Sequence, residues 1–321
     1  MTLGEFDLID RFFHRCGAER GDVALGVGDD AALLRVPLGM ELAVTLDTLV
    51  QGVHFLPGTD PCSLGHKALA VNLSDLAAMG AVPAWATLAL TLPESDPAWL
   101  EAFSDGFCRL ARESGVQLVG GDTTRGPLAV SVEAKGLVPV GQALRRSGAR
   151  AGDLIFVSGL LGDAGLALRA LRDGLEVDDL DYLRDRLERP QPRLALGRSL
   201  RGVASAAIDI SDGLVADLGH ILDSSRVGAV VELGRLPCSE PVSAYLARSG
   251  DWSLPLSAGD DYELCFTLPS CHLAALESLA ETLPCRITHI GQITPEPGLH
   301  IRAADGGDYR PRSSGYEHFA P

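Results

Sequence analysis

Five apolar runs in this chain end in a small-residue turn that carries aspartate: GDD at 28–30, LDT at 46–48, GGDTT at 120–124, IDISDG at 208–213 and AGDD at 258–261. Taken singly, each is ordinary turn chemistry, because Asp hydrogen-bonds its own backbone and Gly accepts the dihedrals a tight turn needs. Ser211 and Asp212 also stand where a cap for a following helix would stand. Taken together, with their strand ends converging, they make a cluster of four or more carboxylates that cannot all ionise without a compensating charge. An all-oxygen donor set selects a hard cation, Mg²⁺ rather than Zn²⁺. Mg²⁺ is commonly held by a few carboxylates plus substrate phosphates. Asp75 belongs with this group: it lies among Leu73, Leu76 and Ala77, three residues after Asn72, where burial calls for a partner.

Phosphate recognition has candidates of its own. Gly120, Gly121 and the SGLLGDAG turn at 158–165 offer backbone N–H groups, which either face an anion or serve only the turn. Arg145 and Arg146, beside another glycine turn, suit a phosphate or open solvent equally. There is no G-x-x-x-x-G-K-[ST] and no H-R-D or D-F-G set.

The elements that must position these residues follow from periodicity and punctuation. VALGVG and ELAVTLDTLV read as strands separated by a Pro-Gly turn, and residues 62–80 as a helix stopped by Gly80. A second helix is expected from Pro97 to Gly115, followed by the strands VQLVGGD and LAVSVEAKGLVPV. The polar stretch ALRRSGARAGD suggests a domain boundary, giving domains 1–147 and 148–321. Beyond it come a strand (DLIFVSG), a glycine turn and a helix. Residues 173–193 form a charge-dense segment read as a solvated helix and connector. The strand SAAIDI then runs into the helix of SDGLVADLGHIL, VGAVVEL is another strand, and PLSAGDDYELCFTLP is a loop feeding a further one. Strands and helices mix throughout, which is an α/β or α+β pattern.

Composition narrows the function classes. The 321 residues are 46% hydrophobic and 22% charged, with 36 glycines, as expected of a globular protein. A formal charge of −16 argues against a nucleic-acid surface and means that anionic substrates need help from cations. Seven scattered cysteines with no C-x-x-C pair suit a reducing cytoplasm and no zinc site. MTLGEFDLIDRFF lacks the pattern of a signal peptide. The most apolar stretch, AMGAVPAWATLALTL, contains Pro83 and falls short of the roughly 20 residues a bilayer span needs. It reads as a buried element, and no membrane partner is expected.

GVGDDAALL, TLDTLVQGVHF, HKALAVNLSDLAAMGAVPAWATLALTLP, GGDTTRGPL, RSGARAGD, IDISDGLVADLGHIL, AGDDYELCF and GYEHF occur in order from residue 4 to about 319. Together they resemble the thiamine-monophosphate kinase family. The resemblance implies the two-domain fold of the aminoimidazole ribonucleotide synthetase-like group, with an N-terminal α/β domain that dimerises through its sheet and a C-terminal α+β domain. It implies ATP and several Mg²⁺ ions in a cleft near the interface of a homodimer. By the same resemblance, Asp30, Asp47, Asp75, Asp122 and Asp209 are Mg²⁺ ligands assisted by Thr45 and Asp212. Leu46 would join them through its carbonyl, where relatives often have a hydroxyl residue. Gly121, Asp122, Arg146 and Ser211 would contact the nucleotide, and His54, Asp260 and Tyr316 thiamine monophosphate. Asp260 stands where relatives often have Glu, one methylene longer.

The resemblance implies transfer of the γ-phosphoryl of ATP to thiamine monophosphate, with no general base needed. Asp29 and Asp30 then pair a turn former with a ligand, and Asp29 itself either supports the metal site from behind or binds the metal. Two other readings stand beside it: an ATP-dependent synthetase of the same group, and a nucleotide-binding module without catalysis. Selenophosphate synthetases and hydrogenase-maturation members use a reactive Cys. Here Cys16 lies in a helical stretch and the chain ends HFAP.

Overall fold

The structure, a computed structural model, describes residues 4–303 and 305–319. The chain divides into two compact units, residues 1–76 with 81–141, and residues 77–80 with 142–321. No helix among the described residues is long and apolar enough to cross a membrane. The terminal Ala320 and Pro321 lie outside the described residues.

The first unit runs α1 (Glu5–Phe12), β1 (Val23–Leu25), β2 (Leu33–Leu34), β3 (Met40–Val50), α2 (Pro61–Ala78), β4 (Val82–Leu92), α3 (Pro97–Glu113), β5 (Gln117–Arg125) and β6 (Ala129–Pro139). The helix boundaries have local causes. Asp96 accepts the Ala98 N–H at 2.9 Å, Pro97 opens α3, and Gly115 at φ +69° turns the chain away. Gly80, at φ +64°, does the same after α2. The long apolar stretch is β4, an interior strand that accommodates Pro83 near its start beside a register irregularity.

The sheet order is β3-β6-β4-β5, antiparallel except for the β4/β5 pair. Alternate residues of β6, Val130, Val132 and Ala134, are buried together with Leu88 and Leu90 of β4. α2 and α3 cross at Gly65 and Gly106, where an added Cβ would stand 2.1 Å from the Phe103 carbonyl oxygen and 1.9 Å from that of Cys62. Only glycine permits so close an approach of two helix backbones. A disulfide joins Cys16 to Cys108, both buried. Nothing in the spacing of the cysteines pointed to this pair.

The second unit runs β7 (Leu154–Ser158), α4 (Asp163–Asp173), α5 (Leu180–Glu188), α6 (Leu194–Ser199), β8 (Ala206–Ile210), α7 (Leu214–Ser225), β9 (Gly228–Glu232), α8 (Glu240–Ser249), α9 (Ser253–Ser257), β10 (Glu263–Leu268), α10 (Leu273–Ala280), β11 (Ile287–Thr294), β12 (Gly298–Arg302) and β13 (Asp308–Tyr309). Its mixed sheet has the order β13-β12-β9-β11-β7-β10-β8, with β12/β9 the one parallel pair among the described strands of that sheet. The period of two gives it two buried faces. Ile155, Val157, Ile208, Ile210 and Cys265 pack with Leu214, Leu218 and Ile221 of α7, whereas Phe156, Ala207, Leu264 and Phe266 pack with Leu196, Leu200 and Leu276.

A polar network threads this core. The fully buried Glu263 carboxylate accepts from Ser158 Oγ at 2.6 Å, Arg186 at 3.0 Å and Arg193 at 2.6 and 2.5 Å. Asp163, also buried, accepts from Tyr182 Oη at 2.7 Å and Ser239 Oγ at 2.5 Å. The solvated reading of residues 173–193 therefore fails for Tyr182, Arg186 and Arg193, whose polar ends turn inward because their partners lie far along the chain.

Candidate functional site

In the first unit, β3 and α2 build one oxygen-rich corner. Thr45 Oγ1 donates a short hydrogen bond to Asp75 Oδ2, and Asp47, two residues along the same face of β3, feels the Asp75 charge. Burial first, and then that charge, push the Asp47 carboxyl from 3.8 up to about 7. Two carboxylates in this setting hold a proton or a cation between them. The Leu46 side chain points the other way and is 64% exposed. His54 closes the turn after β3: its Nδ1 accepts the Val50 N–H at 3.0 Å, which leaves Nε2 as the protonated ring nitrogen.

The opposite edge of the sheet builds a second corner. A cavity of about 640 Å³ is lined by Gly28, Asp29, Asp30, Gly120, Gly121 and Asp122, with Ile9 and Phe13 at its apolar side. Asp29 Oδ1 accepts the Asp30 N–H at 2.8 Å, a bond within the turn, and both aspartates line the cavity. At Gly121 a Cβ would stand 1.9 Å from the Leu88 carbonyl oxygen, so β4 and β5 pack this closely only with glycine there.

These corners are separate. By register, Asp47, Val132, Leu88 and Gly121 share one row across the sheet, and Thr48, Ser131, Ala89 and Asp122 the next. Asp47 and Asp122 thus project from opposite edges to opposite faces, roughly 14 Å apart at three inter-strand spacings.

The second unit gathers the remaining candidates around the turn after β8. Asp209 is buried on β8, beside Leu264 of β10. The Asp260 N–H bonds the Ser211 carbonyl at 2.8 Å, and the Tyr316 N–H bonds the Asp212 carbonyl at 3.0 Å. Asp260, at φ +60°, accepts from the Tyr262 hydroxyl at 3.0 Å. Burial raises the Asp212 carboxyl above its ordinary range; His318, His220 and Arg146 oppose the rise and Asp260 adds to it. Arg146, Ser211, Asp212, Asp260 and Tyr316 therefore share one neighbourhood.

Two expectations change. Neither Ser211 nor Asp212 caps α7: Gly213 holds the cap position without a side-chain bond, and Asp217 reaches back to the turn instead. The SGLLGDAG turn offers little to a phosphate, because Gly159 N–H bonds the Arg286 carbonyl, Leu161 N–H that of Pro237, and Gly162 N–H the buried Asp261 carboxylate at 3.0 Å. Within neither unit do four of the described candidate carboxylates gather. Among the described residues no three His, Cys, Asp or Glu side chains stand close enough to hold a metal ion by themselves. The carboxylates occur in smaller sets, as Asp47 with Asp75 and as Asp212 with Asp260.

Residues 28–138 match the AIR synthase related protein, N-terminal domain, and residues 150–303 the AIR synthase related protein, C-terminal domain. Thiamine-monophosphate kinase of Escherichia coli (strain K12) is 50% identical over 323 residues, which cover 100% of this chain and 99% of the relative. The chain belongs to the thiamine-monophosphate kinase family. The crystal structure of thiamine-monophosphate kinase from Stenotrophomonas maltophilia K279a superposes with a TM-score of 0.86 at 50% identity, covering 96% of this chain and 99% of that one. The structure of AaThiL complexed with AMPPCP and TMP superposes with a TM-score of 0.77 at 32% identity, covering 99% of each chain.

This member of the thiamine-monophosphate kinase family carries its expected two-domain, mixed α/β and α+β architecture. Motif reading overlooked Asp217, His220 and His318 beside the candidate residues. A usable signal existed for Asp217, an acid set between Leu214 and Leu218 in the apolar face of a helix.

Proposed function

We propose that the chain transfers the γ-phosphoryl group of ATP to the phosphate of thiamine monophosphate, yielding thiamine diphosphate and ADP. Full-length identity to thiamine-monophosphate kinases supports the reaction. The observation that carries the site is the Asp47–Asp75 pair: burial first, and then the Asp75 charge, push the Asp47 carboxyl up to about 7, and a divalent cation relieves both. The donors are oxygens, as Mg²⁺ requires, and so few of them leave room for phosphate oxygens and water in the remaining positions.

Asp30, Thr45, Asp47, Asp75 and Asp122 of the first unit, and Asp209 and Asp212 of the second, are the proposed ligands, with the Leu46 carbonyl beside them. When bound, Mg²⁺ neutralises the two approaching polyanions and the charge that develops during transfer. The acceptor phosphate, with a second pKa near about 6, is already anionic at neutral pH, so no side chain need remove a proton. Gly121, Asp122, Arg146 and Ser211 hold the nucleotide. The Ser211 N–H is already taken by Asp217, so Ser211 acts through its hydroxyl. His54, Asp260 and Tyr316 orient the cationic thiamine end, Tyr316 by offering its half-exposed ring.

A homodimer completes the proposal. Leu42, Val44 and Leu46 stand exposed along the outer face of β3, where an unpartnered sheet would carry polar residues. The use of ATP favours a cytoplasmic location.

The test is ADP formation from Mg-ATP with and without thiamine monophosphate, with the product identified by mass and free phosphate assayed in parallel. Thiamine diphosphate formed one for one with ADP, without free phosphate, is the expected result. Acceptor-independent turnover or stoichiometric phosphate release would replace the kinase by a synthetase, and no turnover by a binding module.

A second test reads the cation directly. The Asp47 carboxyl is raised in the folded state from 3.8 to about 7, so its contribution to stability is full below about pH 4 and is lost as pH rises through 7. A bound cation replaces the missing proton. Mg²⁺ should therefore raise the melting temperature more at about pH 8 than at about pH 6, and Asp47→Asn should lose most of that difference. An equal Mg²⁺ effect at both pH values would remove Asp47 from the ligand set.

A further inference from the structure

The geometry points to Asp217 as a positioning residue that aligns both substrate-binding segments of the second unit through one turn. Its buried carboxylate receives, on the single oxygen Oδ2, the N–H groups of Ser211 at 3.0 Å, Asp212 at 3.1 Å and Gly213 at 3.1 Å. Every N–H of the turn that opens α7 is thus committed to one side chain, four to six residues further on. The carbonyls of the same turn hold the other segments: Ile210 accepts from Tyr262 at 2.8 Å, Ser211 from Asp260 at 2.8 Å and Asp212 from Tyr316 at 3.0 Å. At Gly315 a Cβ would stand 2.7 Å from the Asp212 carbonyl oxygen, so the C-terminal segment lies directly on the turn.

The consequence is a chain of dependence. Asp217 meets Ser211 and Asp212 through these backbone bonds, and the Asp212 charge also acts on its carboxyl. It sets where the side chains of Ser211 and Asp212 project and where Asp260 and Tyr316 are anchored. Removing it leaves three N–H groups without this acceptor, that of Gly213 buried and those of Ser211 and Asp212 half-buried, and the turn must rearrange to satisfy them. A nucleotide contact and a thiamine contact would then be lost together, although they lie on different segments. This rests on the proposed roles of Asp209, Ser211, Asp212, Asp260 and Tyr316.

The experiment compares Asp217→Ala and Asp217→Asn with the parent, well below each melting temperature. The Michaelis constants for ATP and for thiamine monophosphate are measured, together with amide hydrogen exchange over residues 208–214. A merely structural role would lower the active fraction and leave both constants in place. Asp217→Ala should raise both by about tenfold or more, the scale of a lost charge-assisted hydrogen bond, with faster exchange at Ser211 to Gly213. Asp217→Asn, which keeps an acceptor oxygen, should recover most of the loss. Both constants within twofold of the parent in folded Asp217→Ala would overturn the inference. Should the alanine variant fail to fold, Asp217→Asn decides, with a rise of about two- to fivefold in both constants expected and no change overturning it. Parental activity in Asp209→Asn would instead sink the ligand reading, whatever Asp217 does.

Discussion

Asp209→Asn is expected to turn over at least about two orders of magnitude more slowly than the parent at saturating Mg-ATP, with an unchanged fold. The substitution is isosteric and sits on β8, where the backbone is held by the ladder to Glu263 and Leu264. Asp209 is 4% exposed, and Asn keeps its size and one acceptor oxygen in that buried place. Stability in the absence of Mg²⁺ should accordingly change little beside the loss of rate. A rate loss combined with unimpaired stability separates a cation seat from a packing residue. Near-parental turnover at saturating Mg²⁺ would show that the charge of Asp209 has no part in the transfer, and the metal-seat model of the second unit would fall with it.

Glu263→Gln should cost about 3–5 kcal/mol in urea-induced unfolding of the second unit. The reason is asymmetric. Arg186 and Arg193 are largely buried, each bonded to this carboxylate, and a neutral amide strips Arg193 of its ion-pair partner and leaves Arg186 only Asp163 at 3.4 Å. Ser158 Oγ also loses its charged acceptor. Combining Glu263→Gln with Arg193→Gln should destabilise by less than the sum of the single changes, because the second removes a charge the first has stranded. Strict additivity, or a cost below about 1 kcal/mol for Glu263→Gln, would show that the network is solvated rather than buried.

Local rules made much of the fold readable. The limits of α2 and α3 follow from Gly80, Asp96, Pro97 and Gly115, and β3 and β6 from apolar runs that alternate along most of their length. The turn chemistry of Asp29 was likewise legible, since its bond to the next N–H is a property of adjacent residues. What escaped was non-local. Arg186 and Arg193 look solvated in a charge-rich segment, and only pairing with Glu263, 77 and 70 residues away, draws them inside. The SGLLGDAG turn resembles an anion cradle until Asp261, 99 residues from Gly162, fills it. The separation of Asp47 from Asp122 arises from strand order, which no run of residues encodes locally. Asp217 differs: its partners are close in sequence, and its place between Leu214 and Leu218 on an apolar helix face was a legible sign of burial.

The bond between Cys16 and Cys108 makes residues 16–108 a covalent ring within the first unit. Asp30, Asp47 and Asp75 lie inside the ring and Asp122 outside it. A protease that cuts the exposed stretch around Leu38 would therefore open the ring without releasing a fragment, and the two halves of the unit would stay tethered until a thiol reductant parted them. Intact mass on a non-reducing gel is thus no proof of an intact chain for this protein.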